Sequence, residues 1–95
     1  IKALFTMART LLLGAELALP TTTGTATSFA QASAVRLVNN STTAYNVTVV
    51  ETQGGSVIGS MTMPGNSVET LEKQYSHCVY AENASVLGAK VGFTA

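Results

Sequence analysis

The sequence contains no Trp and no Asp, a single cysteine, and little charge of either sign. One thiol, Cys78, cannot close an intrachain disulfide, so the fold does not rest on oxidative stapling. One His, one Cys and no Asp leave too few donors for a closed site of about four ligands, so no metal or other cofactor is expected. Five Lys and Arg are matched by five Glu, a formal net charge of zero. Lys2, Arg9, Arg36, Lys73 and Lys90 are scattered along the chain. That leaves no footprint for counterion release on nucleic acid and none for polybasic attachment to a membrane. No stretch reaches the ~20 apolar residues that span a bilayer as a helix.

What is present is a chain of 95 residues, the length of one domain, with 46% hydrophobic residues. Charged residues make up only 11%, against about 25% in an ordinary globular chain. The exterior must therefore be Ser, Thr, Asn, Gln and backbone, a surface easily desolvated and suited to permanent contact with other subunits.

Hydrophobic patterning points to strands. Ala34–Val38 and Tyr45–Val50 are rich in β-branched and aromatic residues and flank a polar hinge, Asn39 to Thr43, whose side chains favour turns. The pair is expected to form a β-hairpin or neighbouring strands. Gln53-Gly54-Gly55 reads as a tight turn, and Val57–Met63 alternates. Pro64-Gly65-Asn66 is a turn signal in which Gly65 is expected to take the left-handed position. Val68–Lys73, His77–Ala81 and Lys90–Thr94 follow as further strands. Strand-like runs separated by turns every 8–12 residues or so imply an all-β fold, a small antiparallel β-sandwich or jelly-roll-like barrel with an extended N-terminal segment.

The chain divides into residues 1–19, an N-terminal arm or edge strand, residues 20–32, a Thr/Ser-rich connecting loop, and residues 33–95, the β-sandwich core. Met7 reads as an initiator, with Ile1–Thr6 ahead of it. Leu4 and Phe5 add to Leu11, Leu12, Leu13, Leu17 and Leu19 in making this end apolar, more than a small core can absorb. An exposed apolar patch usually marks a contact site, so Leu11, Leu12, Leu13, Leu17 and Leu19 are the expected partner-binding residues. Phe29 is placed as an anchor pinning the loop to the core.

The candidates for chemistry are few. His77 and Cys78 are adjacent, and neighbouring side chains of a strand point to opposite faces, so they do not make a thiol–imidazole dyad. Glu69 and Glu72 fall on opposite faces of a strand, while Glu16, Glu51 and Glu82 sit in separate segments. Gly54-Gly55 precedes a strand, not a helix, which excludes a phosphate loop. No catalytic residue and no enzyme activity is expected. Sequons at Asn39, Asn40, Asn46 and Asn83 carry little weight in a chain so rich in Ser and Thr.

The sequences V-R-L-V-N-N, I-G-S-M-T-M-P-G-N, L-E-K-Q and V-L-G-A-K-V-G-F-T-A, with M-A-R-T-L-L-L-G-A from Met7, follow in an order that resembles small β-structured proteins of tailed bacteriophages. The likeness is to capsid decoration (cement) or minor virion proteins of phages of marine bacteria. It covers most of the chain as a pattern of strands and turns; Ile1–Thr6 depart from it. The resemblance implies a non-enzymatic virion protein, made in the host cytoplasm and placed on the capsid exterior. Its partners would be the major capsid protein, other virion subunits and copies of itself. Two alternatives stand beside it. One is a secreted adhesin or pilus-like subunit whose residues 1–32 are a signal region, Lys2 and Arg9 preceding an apolar stretch and Ala30-Gln31-Ala32 forming a cleavage site. The other is a small ligand- or carbohydrate-binding β-module, with Tyr45, Tyr75 and Tyr80 as stacking residues.

Overall fold

A computed structural model describes residues 9–94. They form two antiparallel sheets packed face to face, so the chain is all-β. The strands are β1 (Arg9–Leu12), β2 (Leu17–Ala18), β3 (Ala34–Asn39), β4 (Tyr45–Val50), β5 (Val57–Met63), β6 (Val68–Glu72), β7 (Cys78–Ala81) and β8 (Val86–Thr94), with one 3-10 turn at Thr23–Thr25. The first sheet runs β1-β8-β3-β6, with β2 also on β8, and the second runs β5-β4-β7.

The pairing is nested. Residues 9–18 lie on β8, Thr27 bridges to Val79 of β7, β3 pairs with β6, and β4 pairs with β5. A long double strand rolled up on itself gives this order, the connectivity of a jelly roll. Here the strand expected beside β7 is reduced to the Thr27 bridge. Ala81 N–H does reach the Pro20 carbonyl at 2.9 Å, but the exposed residues 21–25 loop away through the 3-10 turn between the two contacts.

β3 shows why these strands form. Its inward residues Val35, Leu37 and Asn39 are buried and its outward residues Ala34, Arg36 and Val38 are half-buried, the period-two pattern of a sheet covered on one face. Leu19, Val47, Met63, Val79 and Val86 complete the centre of the core. Phe29 anchors there as expected, over Gly88: a Cβ on that glycine would stand 2.6 Å from Phe29 Cζ, 3.1 Å from Leu19 Cδ1 and 3.2 Å from Leu37 Cδ2. Only a residue without a side chain lets β8 pass beneath the ring.

Three sequence expectations require correction. β3 and β4 are not a hairpin; they lie in opposite sheets, and the supposed polar hinge turns inward at Asn39. Asn39 Nδ2 donates to the carbonyls of Thr43 at 2.8 Å and Met63 at 2.9 Å, and its Oδ1 accepts from Ser41 N–H and Oγ. A buried amide so fully paired ties the two sheets at one end of the sandwich. In the 64–67 turn the left-handed residue is Asn66 (φ 59°), not Gly65. Gly65 is needed for proximity, because a Cβ there would meet the Thr42 carbonyl group at 2.5 Å. The division at residues 19/20 and 32/33 also gives way: Leu19, Ala26, Phe29 and Ala32 are buried in the core, so residues 9–32 belong to the folded unit.

The opposite end of the sandwich is tied by cations. Phe29, Ala30 and Gln31 all take positive φ (55°, 55° and 60°), a single left-handed turn closed by Ala32 N–H to the Ser28 carbonyl at 3.1 Å. L-residues in that region are strained by roughly 1–2 kcal/mol each. Lys73 Nζ donates to the carbonyls of Ala32 at 2.7 Å and Ser28 at 3.0 Å, and Lys90 Nζ to that of Ala30 at 3.0 Å. Two ammonium groups thus hold the turn in place. Burial pulls the Lys73 pKa down from the ordinary lysine value; Cys78 opposes that shift and the Lys90 charge adds to it.

Candidate contact surface

Both flanks of the sandwich are less well covered than its centre. On the first flank, residues 9–19 run along β8 as the edge of the first sheet. Leu12 pairs with Val91 and Leu17 with Gly88, so two extra residues are accommodated between them in L-G-A-E, a wide bulge. Leu13 N–H to Lys90 O and Leu19 N–H to Val86 O, both 2.9 Å, hold the two ends of the bulge to β8.

Register places Leu11, Leu13, Leu17 and Leu19 on the inward side and Leu12 on the outward side. Their fates differ. Leu19 is 2% exposed, beneath Phe29, and is therefore a core residue and not a partner-binding one. Leu11, Leu13 and Leu17 overhang the interrupted second sheet and are 47%, 50% and 59% exposed, while Leu12 is 73% exposed. A groove of about 340 Å³ lies under the overhang, lined by Leu13, Leu17, Pro20, Phe29 and Lys90. Leu4 and Phe5 lie outside the described residues.

On the opposite flank β5 and β6 are the edges of the two sheets, joined by the 64–67 crossing but not paired with each other. The β4–β5 register shifts at Val49/Val50, leaving Ile58 as an extra residue of β5. Val57, Ile58 and Val68 are exposed, and an apolar cleft of about 300 Å³ opens between the edges, lined by Val49, Ile58, Met61, Leu71, Lys73 and His77. Glu69 lies opposite Leu37, on the inward side of β6, and Glu72 opposite Ala34, on the outward side, so the two glutamates do face apart. An inward charge on an edge strand guards it against indiscriminate pairing.

Charge is divided between the flanks. Arg9 and Lys90 belong to the leucine flank, where the Glu16 carboxylate stands 3.7 Å from the Arg36 guanidinium. Glu69 and Glu72 belong to the other, beside Lys73; Lys73 and Lys90 both donate to backbone carbonyls of the left-handed turn. The exposed Arg36–Glu16 pair contributes about 1 kcal/mol at most.

The remaining candidates are dispersed. His77 faces the β5/β6 cleft, whereas Cys78 is buried against Ala26 and Val50 with its thiol 3.8 Å from the Ser76 carbonyl. Among the described residues no three of His, Cys and Glu gather in a group able to hold a metal ion. Tyr45 and Tyr80 pack half-buried against different clusters and only Tyr75 is well exposed, so the tyrosines form no common platform. Asn39, whose sequon was noted above, is fully buried. No helix among the described residues is long and apolar enough to cross a membrane. Compared with protein-family models, curated proteins and solved structures, the chain matches none.

Proposed function

We propose that this protein is a non-enzymatic structural subunit that decorates the outer surface of a phage capsid, its apolar flanks held in contacts with neighbouring subunits on the shell. One observation carries the reading: Leu11, Leu12, Leu13 and Leu17 stand about half or more exposed on the rim of a sandwich whose centre is well packed. Apolar area removed from water is worth roughly 25 cal/mol per Å², so leaving four leucines half exposed forgoes stabilisation that a neighbouring chain can recover. The low charge of the chain supports the same reading, because few ions need be desolvated in such a contact. Contacts repeated over a shell gain from effective concentration and need not be individually strong.

The secreted-subunit reading is less well supported. Cleavage near Ala32 would remove the strand that covers β8 together with the core side chains Leu19, Ala26 and Phe29. For the same reason deletion of residues 1–19 is a poor test of the contact, since it strips Leu19 from the core. The cleaner test is Leu12→Ser/Leu17→Ser, co-expressed with the major capsid protein of its particle. Shell occupancy, read by co-sedimentation and electron microscopy, is expected to fall on the order of tenfold or more, while the circular dichroism spectrum stays that of a β-protein. Undiminished occupancy removes the basis for the reading.

A further inference from the structure

We infer that the leucine flank of one copy is built to receive the β5/β6 flank of a second copy, in a head-to-tail joint that continues the first sheet from β1 to the neighbour's β6. The joint deepens the structural-subunit reading and rests on it for its biological setting, but it requires no shell protein.

Among the described residues, apart from Tyr75 in a loop and Phe93 near the end of β8, every exposed large apolar side chain lies on one flank or the other: Leu11, Leu12, Leu13 and Leu17 on the first, Val57, Ile58 and Val68 on the second. The flanks are at opposite edges of the same sheet, β1 and β6. A patch at each edge suits a chain in which each copy is both donor and acceptor.

Charge selects the pairing. Two leucine flanks brought together would oppose the Arg9 of both copies, and two β6 edges would oppose Glu69 and Glu72 of both. Like charges directly opposite are destabilising, while opposite charges contribute favourably. With Glu16 already paired to Arg36 within each copy, the mixed arrangement is the one that sets Arg9 against the glutamates of β6. The two edge strands are thus complementary, β1 carrying Arg9 and β6 carrying Glu69 and Glu72.

Strand direction allows the same arrangement. β1, β8, β3 and β6 are successively antiparallel, so β1 and β6 run in opposite directions. A neighbour related by a shift along the sheet, or by rotation about an axis parallel to the strands, presents its β6 antiparallel to β1. With Leu12 opposite Val68 and Thr10 opposite Thr70, outward residues meet outward ones, and Arg9 falls diagonal to Glu69, within reach of a long side chain. Glu69, which deters wrong partners at an open edge, becomes the feature that specifies the right one. A heterologous joint of this kind closes into a ring or propagates as a filament according to the rotation between copies.

The test is a charge swap on the full chain in the absence of shell protein, with mass read by light scattering and native mass spectrometry. The wild type is expected to associate, and Arg9→Glu and Glu69→Lys each to weaken association on the order of tenfold. The double variant Arg9→Glu/Glu69→Lys is expected to return to within about threefold of wild type. Both side chains are exposed, so the fold should be unaffected, and recovery in the double variant confirms that it is. A wild type that stays monomeric to about 100 µM overturns the joint, as do single variants that associate like wild type or a double variant that stays dissociated. A wild type that occupies shells but stays monomeric without them removes this inference alone; one that associates with itself but occupies no shell removes the capsid reading alone.

Discussion

The centre of the sandwich and its flanks are made from the same residue types and differ in what covers them. In β3 the inward residues Val35 and Leu37 are wholly buried, whereas all four residues of β1 and most of β5 are exposed. Leu17 and Leu19 make the point at closest range. They are two residues apart on the same side of the segment that runs along β8, yet one is 59% exposed and the other 2%. Leu19 lies beneath Phe29 at Gly88, and Leu17 projects past the point where the second sheet loses its fourth strand. Hydrophobicity is therefore not a record of burial in a fold this small; the extent of the opposing sheet decides.

The comparison predicts a ladder of effects on stability, measured by denaturant unfolding at dilution where the chain is monomeric. The largest is at the tied centre. Asn39→Ala leaves the Met63 carbonyl without its partner and unravels the Ser41 and Thr43 contacts, an expected loss of about 3 kcal/mol. Gly88→Ala drives a methyl group into Phe29, Leu19 and Leu37 and is expected to lower stability by about 2 kcal/mol.

Lys73→Met removes the donor to Ala32 and Ser28 and should lower stability by about 1–2 kcal/mol at neutral pH. Its pH dependence carries a sign. Folded Lys73 titrates below the usual 10.5 and unfolded Lys73 at about that value, so between the two the unfolded chain binds more protons. Wild-type stability should therefore rise with pH across that window relative to the variant and level off above it. A difference that shrinks instead would mean that the ammonium gains more from the carbonyls than it loses by leaving water.

Ala30→Gly relieves one left-handed residue without removing a contact. It should raise stability by about 0.5–1 kcal/mol, the entropy of the unfolded glycine offsetting part of the relief. Smallest of all is Leu12→Ser on the exposed face of β1, expected to change stability by no more than about 0.5 kcal/mol.

How far this was legible in the sequence follows from the same division. Strand identity was readable wherever alternation was strong, as in Ala34–Val38, and the strand expected at Val68–Lys73 runs through Glu72. Phe29 as an anchor was also visible, because one large ring stands in a run of small polar residues. Sheet membership was not. Asn39 to Thr43 has the composition of a hairpin turn, and only the distant Met63 carbonyl explains why its first residue is buried. The left-handed turn at Phe29-Ala30-Gln31 contains no glycine to announce it, since its partners, Lys73 and Lys90, lie tens of residues away. Of the candidate contact surface, the leucines were found by their number alone. The β5/β6 cleft was missed, because an alternating strand such as Val57–Met63 reads as half-buried whether or not a sheet lies over it.

The central claim is that the exposed leucines serve contact and not the core, and it is tested most directly by measuring unfolding free energy and shell occupancy on the same variant, Leu12→Ser/Leu17→Ser. The account predicts a loss of no more than about 1.5 kcal/mol together with the collapse of occupancy. A loss of about 4 kcal/mol or more, the scale of two leucines taken from a packed interior, with occupancy unchanged in the fraction that folds, would contradict it.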